Sequence, residues 1–326
     1  MSKTRIISRK EAEQLLTMEA CIAAMEQTLQ EVSAGATSML QRSMMPQQKG
    51  NKFALMAADN QQQGLCGVKA IVFAGPEAKK AGTSQGIVPL FDSRTGALVA
   101  IVEAECITAV RTAAPSGAAT KVLADPESRT LAILGAGRIG RLHIDAVRQV
   151  RPIQRVQIWN RTPAGAESAC QWARQTFGLE AVPCATAQQA VEGADIVCTV
   201  TQAKEPILQG AWLKPGAHIN AVGACAGNAR ELDSAAVCRS RIYLDQREAA
   251  LRDGGDLAIP LASGELDQDR IIGEVGQVML GQIPGRQSEE EITLFESVGI
   301  AVEDLSAAAL IYQLACQQGL GVEVEI

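Results

Sequence analysis

The chain has 326 residues, which is long for one hydrophobic core and predicts about two domains. Hydrophobic residues make up 47% of it, no apolar run approaches the roughly 20 residues that cross a bilayer, and no secretory leader is evident, so we expect a globular cytoplasmic protein. The net charge of −6 comes without a basic stripe, which argues against nucleic acid or an anionic membrane as a partner.

Cysteine and histidine usage excludes two further classes. The nine cysteines stand singly, without a C-x-x-C pair or a histidine at zinc spacing, so neither a disulfide framework nor a metal site is predicted. Only His143 and His218 could serve as a histidine base. The sequence favours packing or a neighbouring phosphate for His143, and a loop position before a strand for His218.

The first third of the chain predicts a helix followed by a largely antiparallel sheet. The stretch "SRKEAEQLLTMEACIAAMEQTLQEVSAG" has apolar residues at helical spacing up to Gly35. Four short apolar runs follow, separated by turn residues: "KFALMAA", "GVKAIVF", "GIVPLFD" and "ALVAIVE". The segment "DSRTGAL" between the last two indicates a tight hairpin.

From about Arg129 the chain alternates strands with helices, which predicts a parallel, doubly wound sheet. The predicted strands are "RTLAILG", "RVQIWN", "ADIVCTVT", "AHINAVG" and "SRIYLD". The segment "ADPES", residues 124–128, is the predicted boundary between the two domains. A last amphipathic helix, "AVEDLSAAALIYQLACQQGLG", cannot be assigned to either domain from its periodicity.

A glycine motif predicts a dinucleotide site in the second part. The string "LGAGRIG" follows a strand and opens a helix, and it places G-x-G-x-x-G at Gly135, Gly137 and Gly140. These glycines permit a tight turn, close approach of a pyrophosphate, and close packing of helix on strand. The predicted phosphate-binding backbone therefore comprises Gly135, Ala136, Gly137, Arg138, Ile139 and Gly140.

The tip of the second strand bears on the choice of cofactor. An acid there would accept hydrogen bonds from a ribose 2′-OH and repel a 2′-phosphate, but "VQIWNRT" has Asn160, Arg161 and Thr162 instead. An arginine and a hydroxyl suit phosphate oxygens. The sequence thus favours NADPH, with NADH as the alternative cofactor and a merely solvated Arg161 as the alternative interpretation.

The sequence leaves two alternative roles open for each of two cationic residues in the N-terminal third of the chain. Arg111 lies among small residues in "ITAVRTAAPSGAATKVLA", where its guanidinium could bind a carboxylate or simply reach solvent. Lys69 lies within the strand-like run "GVKAIVF". It either points outward or faces a site, because an unpartnered ammonium is costly to bury.

The chain resembles the ornithine cyclodeaminase and mu-crystallin family. The strings that carry the resemblance span almost the whole chain and include "ITAVRTAAPSGAATKVLA", "LGAGRIGRLH", "IWNRT", "WLKPGAHINAVG" and "ESVGIAVEDLSAAALIY". The resemblance implies a homodimer of two-domain α/β subunits. A Rossmann domain, residues 125–305, would accompany a mixed α/β substrate-binding and dimerisation domain formed by residues 1–124 and 306–326.

The family's functional residues transfer to matching positions. The resemblance implies that Arg42, Lys69 and Arg111 bind the substrate carboxylate and amine. Our hypothesis is that Lys69 hydrogen-bonds the carboxylate and assists proton delivery to nitrogen in a dry cleft between the domains, because it is the only matching titratable group expected near that atom. It places further residues near the nicotinamide or the substrate: Thr83, Thr201, Val222, Gly223, Ser297 and Val298.

One departure from the family pattern bears on the reaction. Cyclodeaminases carry an aspartate where "AVGACAGNAREL" has Cys225, and a thiol cannot replace a carboxylate as an ion-pairing base. Cys225 is expected to be a small apolar residue filling space beside the cofactor. The resemblance therefore favours the ketimine reductase branch, with hydride transfer to C2 of Δ1-pyrroline-2-carboxylate or Δ1-piperideine-2-carboxylate. The alternatives are a cyclodeaminase with bound NAD, an alanine-type dehydrogenase, and a non-catalytic crystallin-like ligand-binding protein.

Overall fold

The structure is a computed structural model that describes residues 3–75 and 85–326. Its strands are β1 Lys3–Ile7, β2 Thr37–Met39, β3 Ser43–Pro46, β4 Lys52–Asn60, β5 Leu65–Phe73, β6 Gly86–Asp92, β7 Leu98–Glu103, β8 Thr130–Leu134, β9 Arg155–Trp159, β10 Glu180–Pro183, β11 Ile196–Thr199, β12 His218–Ala221, β13 Ser240–Leu244, β14 Ile271–Glu274, β15 Ile292–Glu296 and β16 Val322–Glu325. Its helices are α1 Arg9–Leu15, α2 Met18–Ser33, α3 Ala104–Leu123, α4 Arg138–Val150, α5 Pro163–Phe177, α6 Ala187–Val191, α7 Ser234–Cys238, α8 Arg247–Asp253, α9 Gly255–Ser263, α10 Val275–Met279 and α11 Ala301–Gln318.

The chain divides into two compact units. Unit 1 comprises residues 1–111 and 300–326, and unit 2 comprises residues 112–299. The division falls within α3, whereas the sequence places the boundary after that helix, at residues 124–128. The physical reason is that the carboxyl end of α3 is bonded within unit 2. Arg151 donates to the carbonyl oxygens of Thr120 and Ala124 at 2.7 and 2.8 Å, and Arg286 donates to that of Leu123 at 2.8 Å.

Unit 1 is built on an eight-stranded sheet. Its strand order is β16-β1-β7-β6-β5-β4-β2, with β3 also paired to β4, and every pair is antiparallel except β1 with β7. The largely antiparallel sheet predicted from the sequence is confirmed, including the hairpin between β6 and β7, where Asp92 accepts hydrogen bonds from the backbone of Arg94 and Thr95. Helix α11 packs against α2, β4 and β5.

The first predicted helix is two helices. The chain leaves the helical conformation at Leu16, and the Thr17 hydroxyl accepts a hydrogen bond from the Ala20 N–H and so begins α2. Continuous helical spacing of apolar residues did not reveal this break, because α1 and α2 bury residues on either side of it. The prediction of a single helix over residues 8–35 is wrong on this point.

Unit 2 is a parallel, doubly wound sheet of order β10-β9-β8-β11-β12-β15-β13-β14. All seven strand pairs are parallel, as the alternation of strands and helices predicts. The order reverses direction between β8 and β11, which makes the carboxyl ends of these strands the topological switch point. The sequence analysis missed β10, β14 and β15, although β15 is buried along its whole length in the middle of the sheet.

Both histidines are structural. His143 lies between the Ser116 hydroxyl, at 3.1 Å, and the Ile139 carbonyl, at 2.9 Å, and burial lowers its pKa to about 4. His218 is not a loop residue: it begins β12 and is fully buried. Burial, together with the charge of Arg286, lowers its pKa to about 3. Both imidazoles are therefore neutral at pH 7, and neither is arranged as a base.

The cysteines of the described chain are all free thiols, and four of them, Cys21, Cys106, Cys170 and Cys198, are buried. No helix within residues 3–75 and 85–326 combines the length and the hydropathy that a membrane span requires.

Candidate active site

The glycine motif of unit 2 has the geometry of a phosphate-binding loop. Gly135 has φ +117°, a conformation that only glycine adopts readily, and a Cβ there would lie 2.7 Å from the Val200 carbonyl oxygen. A Cβ on Gly140 would lie 1.9 Å from the Gly135 oxygen, so α4 packs directly on the turn. Around Gly137, in contrast, the space is open to 4 Å. Gly137 is also the N-cap of α4, so the positive end of that helix is directed at this space.

Asn160 joins the glycine loop to the tip of β9. Its Oδ1 accepts a hydrogen bond from the Ala136 N–H at 3.2 Å, and its Nδ2 donates to the Thr162 hydroxyl oxygen at 2.8 Å. Asn160 therefore positions both loops, a role that the sequence analysis did not assign to it. Arg161 and Thr162 are exposed beside it. The Thr162 hydroxyl, which accepts from Asn160, still has its own hydrogen to donate.

A cavity of about 400 Å³ opens over these loops. It brings together six of the residues predicted to bind the cofactor and five that were not singled out. The predicted lining residues are Gly135, Gly137, Asn160, Arg161, Thr162 and Thr201; the additional ones are Trp159, Val200, Gln202, Ala203 and Ile207.

Of the other predicted residues of unit 2, Arg138, Ile139 and Gly140 form the first turn of α4 after Ala136 and Gly137, and four lie at the carboxyl ends of β12 and β15. Val222 and Gly223 follow β12 directly, and Ser297 and Val298 follow β15 and are buried, each 5% exposed. Cys225 does not fill apolar space, because it is exposed in the loop that follows Gly223. The expectation of a buried Cys225 is therefore wrong.

Two buried acids fix these strand ends, and the sequence analysis missed both. Glu231 accepts hydrogen bonds from Thr201 and Gly223. Asp245 accepts from the backbone N–H groups of Val298 and Gly299 at 2.8 and 2.9 Å. Each acid is fully buried, and the available signal was an acid directly after or between apolar runs, in "AREL" and "IYLDQ".

Unit 1 holds a buried ionic cluster around Lys69. Lys69 lies on β5 and is 1% exposed, and its Nζ is 2.7 Å from Asp304 Oδ2 on α11. Arg111, on α3, contacts Asp304 Oδ1 through Nε at 2.6 Å and Glu303 Oε2 through Nη1 at 3.1 Å. Gly67, two residues before Lys69 on β5, lies close to β6, because a Cβ on it would lie 2.4 Å from the Pro89 carbonyl oxygen. Lys69 therefore faces inward, which resolves the alternatives left by its sequence position.

The pKa values in the cluster follow from burial and the neighbouring charges. Burial and the positive charge of Arg111 lower the pKa of Lys69 to about 8, although Asp304 acts in the opposite direction. Burial alone would raise the pKa of Asp304, but Arg111 and Lys69 outweigh it and hold that pKa below its ordinary value. At pH 7 the cluster thus contains a charged acid and an ammonium group that releases its proton more readily than an exposed lysine.

Arg42 belongs to the same neighbourhood. Its positive charge contributes to the lowered pKa of Lys69, and its contact with the substrate stays a prediction. Arg42 is half-buried, between β2 and β3. Thr83, which was predicted to lie near the nicotinamide, falls outside the described residues.

Glu303 and Asp304 are the functional residues of unit 1 that the sequence analysis missed. Both stand in "GIAVEDLSAAAL", a run of small and apolar residues, and both are fully buried. Two adjacent acids within such a run call for buried cationic partners. Lys69 and Arg111 are those partners. They are buried cations, which in turn need acidic partners.

The parallel sheet, the glycine loop at its switch point and the open space at Gly137 define unit 2 as a dinucleotide-binding unit of the Rossmann class. The ornithine cyclodeaminase/mu-crystallin family model matches residues 2–319, and the chain belongs to this family.

Three relatives are similar over most of the chain. The Δ1-pyrroline-2-carboxylate reductase of Bacillus cereus is 37% identical over 324 residues, 98% of this chain and 99% of its own. The ketimine reductase mu-crystallin of Mus musculus is 40% identical over 273 residues, 83% of each chain. The solved structure of Thermococcus litoralis Δ1-pyrroline-2-carboxylate reductase in complex with NADH and L-proline superposes with a TM-score of 0.93 at 34% identity, covering 98% of this chain and all of the other.

Proposed function

We propose that this protein reduces cyclic ketimine carboxylates, Δ1-pyrroline-2-carboxylate and Δ1-piperideine-2-carboxylate, to L-proline and L-pipecolate with a reduced nicotinamide dinucleotide. The buried cluster of Lys69, Arg111 and Asp304 carries the proposal. Such a substrate has one carboxylate to bind and one ring nitrogen to protonate, and the cluster offers cations for the first and a proton for the second. Relatives aligned with almost the whole chain are named for this activity.

Reduction adds a hydride to C2 and a proton to the ring nitrogen, and the C=N double bond becomes a single bond. A reduced nicotinamide dinucleotide, whose pyrophosphate and adenosine half the glycine loop and Asn160 would hold, would supply the hydride when bound. Arg111 and Arg42 bind the substrate carboxylate, since a planar guanidinium matches its two oxygens. Lys69 donates a hydrogen bond toward the ring nitrogen and supplies the proton, for which a pKa of about 8 is well suited near neutral pH.

Asp304 positions the side chains of Lys69 and Arg111 and stabilises the charged form of Lys69. It contacts Lys69 with one oxygen and Arg111 with the other, so it fixes the spacing of the two groups. Its negative charge also stabilises the ammonium form of Lys69 in a buried place where that form would otherwise be disfavoured. We therefore assign Asp304 to positioning rather than to direct proton transfer.

The alternatives differ in what they require of the chain. A cyclodeaminase needs an acid near the substrate amines, and position 225 offers an exposed thiol instead. An alanine-type dehydrogenase needs the same carboxylate-binding cations and is separated from a ketimine reductase only by its substrate. A non-catalytic binding protein would bind the same ligand without oxidising a reduced cofactor, so turnover separates it from an enzyme.

The deciding experiment follows the absorbance of the reduced cofactor with three substrates: pyrroline-2-carboxylate, piperideine-2-carboxylate, and pyruvate with ammonia. We expect oxidation with one or both cyclic imines and a kcat/KM at least about tenfold lower with pyruvate and ammonia, because an acyclic imine must first form. The absence of oxidation with either cyclic imine would refute the reductase proposal. Release of ammonia from ornithine without net oxidation would favour a cyclodeaminase.

We also propose that NADPH is preferred over NADH. The support is Asn160 at the tip of β9, where an acid would repel a 2′-phosphate, and the exposed guanidinium of Arg161 beside it. The Thermococcus litoralis reductase structure contains NADH, so the proposal rests on Asn160 and Arg161 of this chain alone.

Replacing Arg161 by alanine tests this preference. We expect kcat/KM for NADPH to fall about tenfold and that for NADH to change less than about twofold, because only the 2′-phosphate loses a charge-assisted contact. Arg129→Ala is the matched control, since Arg129 is an exposed arginine at the opposite, amino end of β8. Equal losses with both cofactors, or a wild-type protein that prefers NADH, would contradict this assignment.

We propose further that the chain is a homodimer. Several large apolar side chains are exposed on neighbouring strands of unit 1 or, for Leu40, directly after one, which is unusual for a monomer. These residues are Leu40, Met44, Met45, Leu55, Phe73 and Ile87. Light scattering is expected to give twice the mass of the chain, and Leu55→Glu is expected to yield monomers. A monomeric wild-type protein would overturn the proposal.

A further inference from the structure

A single carboxylate joins the ends of two neighbouring strands in unit 2. Glu231 is fully buried, and its Oε1 accepts hydrogen bonds from the N–H and the hydroxyl of Thr201, both at 2.6 Å. Its Oε2 accepts a third hydrogen bond from the Gly223 N–H at 2.9 Å. Thr201 follows β11 and Gly223 follows β12, which are adjacent parallel strands. The side chain of Glu231 therefore fixes the distance between the two loops at their carboxyl ends.

The surroundings leave Glu231 little freedom to move. Its own backbone N–H and that of Leu232 donate to Asp256 Oδ1 at 2.7 and 2.8 Å. A Cβ on Gly223 would lie 2.4 Å from Glu231 Oε2 and 2.4 Å from the Thr201 carbonyl oxygen. Glycine at position 223 thus allows the loop after β12 to close onto the carboxylate.

The sheet order shows which part of a dinucleotide these loops serve. The strands run β9-β8-β11-β12, with Asn160 and Arg161 at the tip of β9 and the glycine loop after β8. If the ribose of the adenosine half lies at β9 and the pyrophosphate lies at the glycine loop, the other half of the molecule extends over β11 and β12. Thr201, which Glu231 holds, lines the cavity on that side.

We propose that Glu231 is a positioning residue for the nicotinamide half of the bound dinucleotide. It acts through Thr201 and Gly223 and does not touch the cofactor itself. The proposal rests on nicotinamide dinucleotide binding, which is part of the proposed function, but it does not depend on which substrate is reduced.

Other buried acids surround Glu231. Asp256 and Glu296 are buried in the same cluster, where burial raises the pKa of Asp256 to about 7 and that of Glu296 well above its ordinary value. Burial also raises the pKa of Glu231, but the donors from Thr201 and Gly223 oppose that shift. Three donors directed at one carboxylate favour its charged form.

The variant Glu231→Gln distinguishes a role of Glu231 in positioning the nicotinamide half from a role in supporting the fold alone. Its amide oxygen can still accept from Thr201, but its amide nitrogen then faces the Gly223 N–H, so the loop after β12 loses its bond. We expect Glu231→Gln to raise the Kd for NADPH about tenfold. The Kd for 2′-phospho-ADP-ribose, which lacks the nicotinamide, should change less than twofold. Both constants are measured by titration calorimetry, and neither requires turnover.

Asp195→Asn is the matched control. Asp195 accepts from the backbone N–H groups of Arg129 and Thr130, both at 2.7 Å, and so bonds strands of the same sheet at the opposite, amino edge. We expect this variant to leave the ratio of the two constants unchanged. Thr201→Val, which removes one donor to Glu231, replaces Glu231→Gln if that variant fails to fold, with a smaller increase of about threefold expected for NADPH alone.

The binding measurements distinguish failure of this inference from failure of the proposed reaction. An equal loss of affinity for NADPH and for the fragment would give Glu231 a purely structural role and overturn the inference, as would unchanged binding of both. A wild-type protein that binds NADPH but reduces no imine would refute the proposed reaction and leave this inference open to the same measurement. A wild-type protein that binds neither ligand would overturn both.

Discussion

Replacing Lys69 by methionine is expected to lower kcat for imine reduction by about 10²- to 10⁴-fold, the range typical for loss of a general acid. The lysine is the one titratable donor in the cluster with a pKa lowered toward neutrality, and methionine cannot donate a proton. Steady-state rates with pyrroline-2-carboxylate at saturating cofactor measure the effect. Dinucleotide binding should be unchanged, because the cavity is lined by residues of unit 2 alone.

Lys52→Met is the matched control for this variant. Lys52 begins β4 and is exposed, and it belongs to the same antiparallel pair of strands as Lys69. We expect its kcat to stay within about twofold of the wild-type value, as for a surface substitution without a partner in the reaction. A Lys69→Met enzyme with wild-type kcat would show that the proton comes from solvent and that Lys69 serves only packing and charge balance.

The features that could be predicted from the sequence lie mostly in unit 2. The glycine loop, the tip of β9 and the parallel sheet follow from short-range patterns, because each depends on residues that are close in the chain. Glycine conformations and helix starts are local properties, so Gly135, Gly137 and Gly140 could be interpreted without a structure. The strand β15 was missed because five buried residues carry no alternation to distinguish a strand from a turn of a buried helix.

The pairing of charges in the ionic cluster of unit 1 could not be predicted from the sequence. Lys69 and Asp304 are separated by more than two hundred residues, and only the packing of α11 on β5 brings them within 2.7 Å. The sequence raised the question of a buried charge at Lys69 alone, and its acidic partner on α11 was found only in the structure. Asn160 is a similar case, because its bond to Ala136 depends on the distance between two loops and not on either loop alone.

Removing the charge of Asp304 should move the pH dependence of the reaction. Lys69 is active as the ammonium, so kcat/KM of the wild-type enzyme is expected to decline above about pH 8, tenfold for each pH unit. Asp304 raises the pKa of Lys69, so Asp304→Asn lowers that pKa and the decline begins at a lower pH. The activity lost at pH 7.5 is thereby partly recovered at pH 6, where the ammonium form returns.

The pH profile separates this effect from damage to the fold. Loss of a buried partner of two cations costs about 3 kcal/mol of folding free energy, so circular dichroism must first show that Asp304→Asn is folded at each pH. Glu303→Gln is the matched control. It removes the neighbouring acid on the same helix, which contacts Arg111 at 3.1 Å, whereas Asp304 contacts Lys69 directly at 2.7 Å. Whatever its effect on kcat, its decline should begin at the wild-type pH. A profile of Asp304→Asn that is lower but parallel to that of the wild type would mean that Asp304 holds geometry alone, and that the proton is supplied by a group other than Lys69.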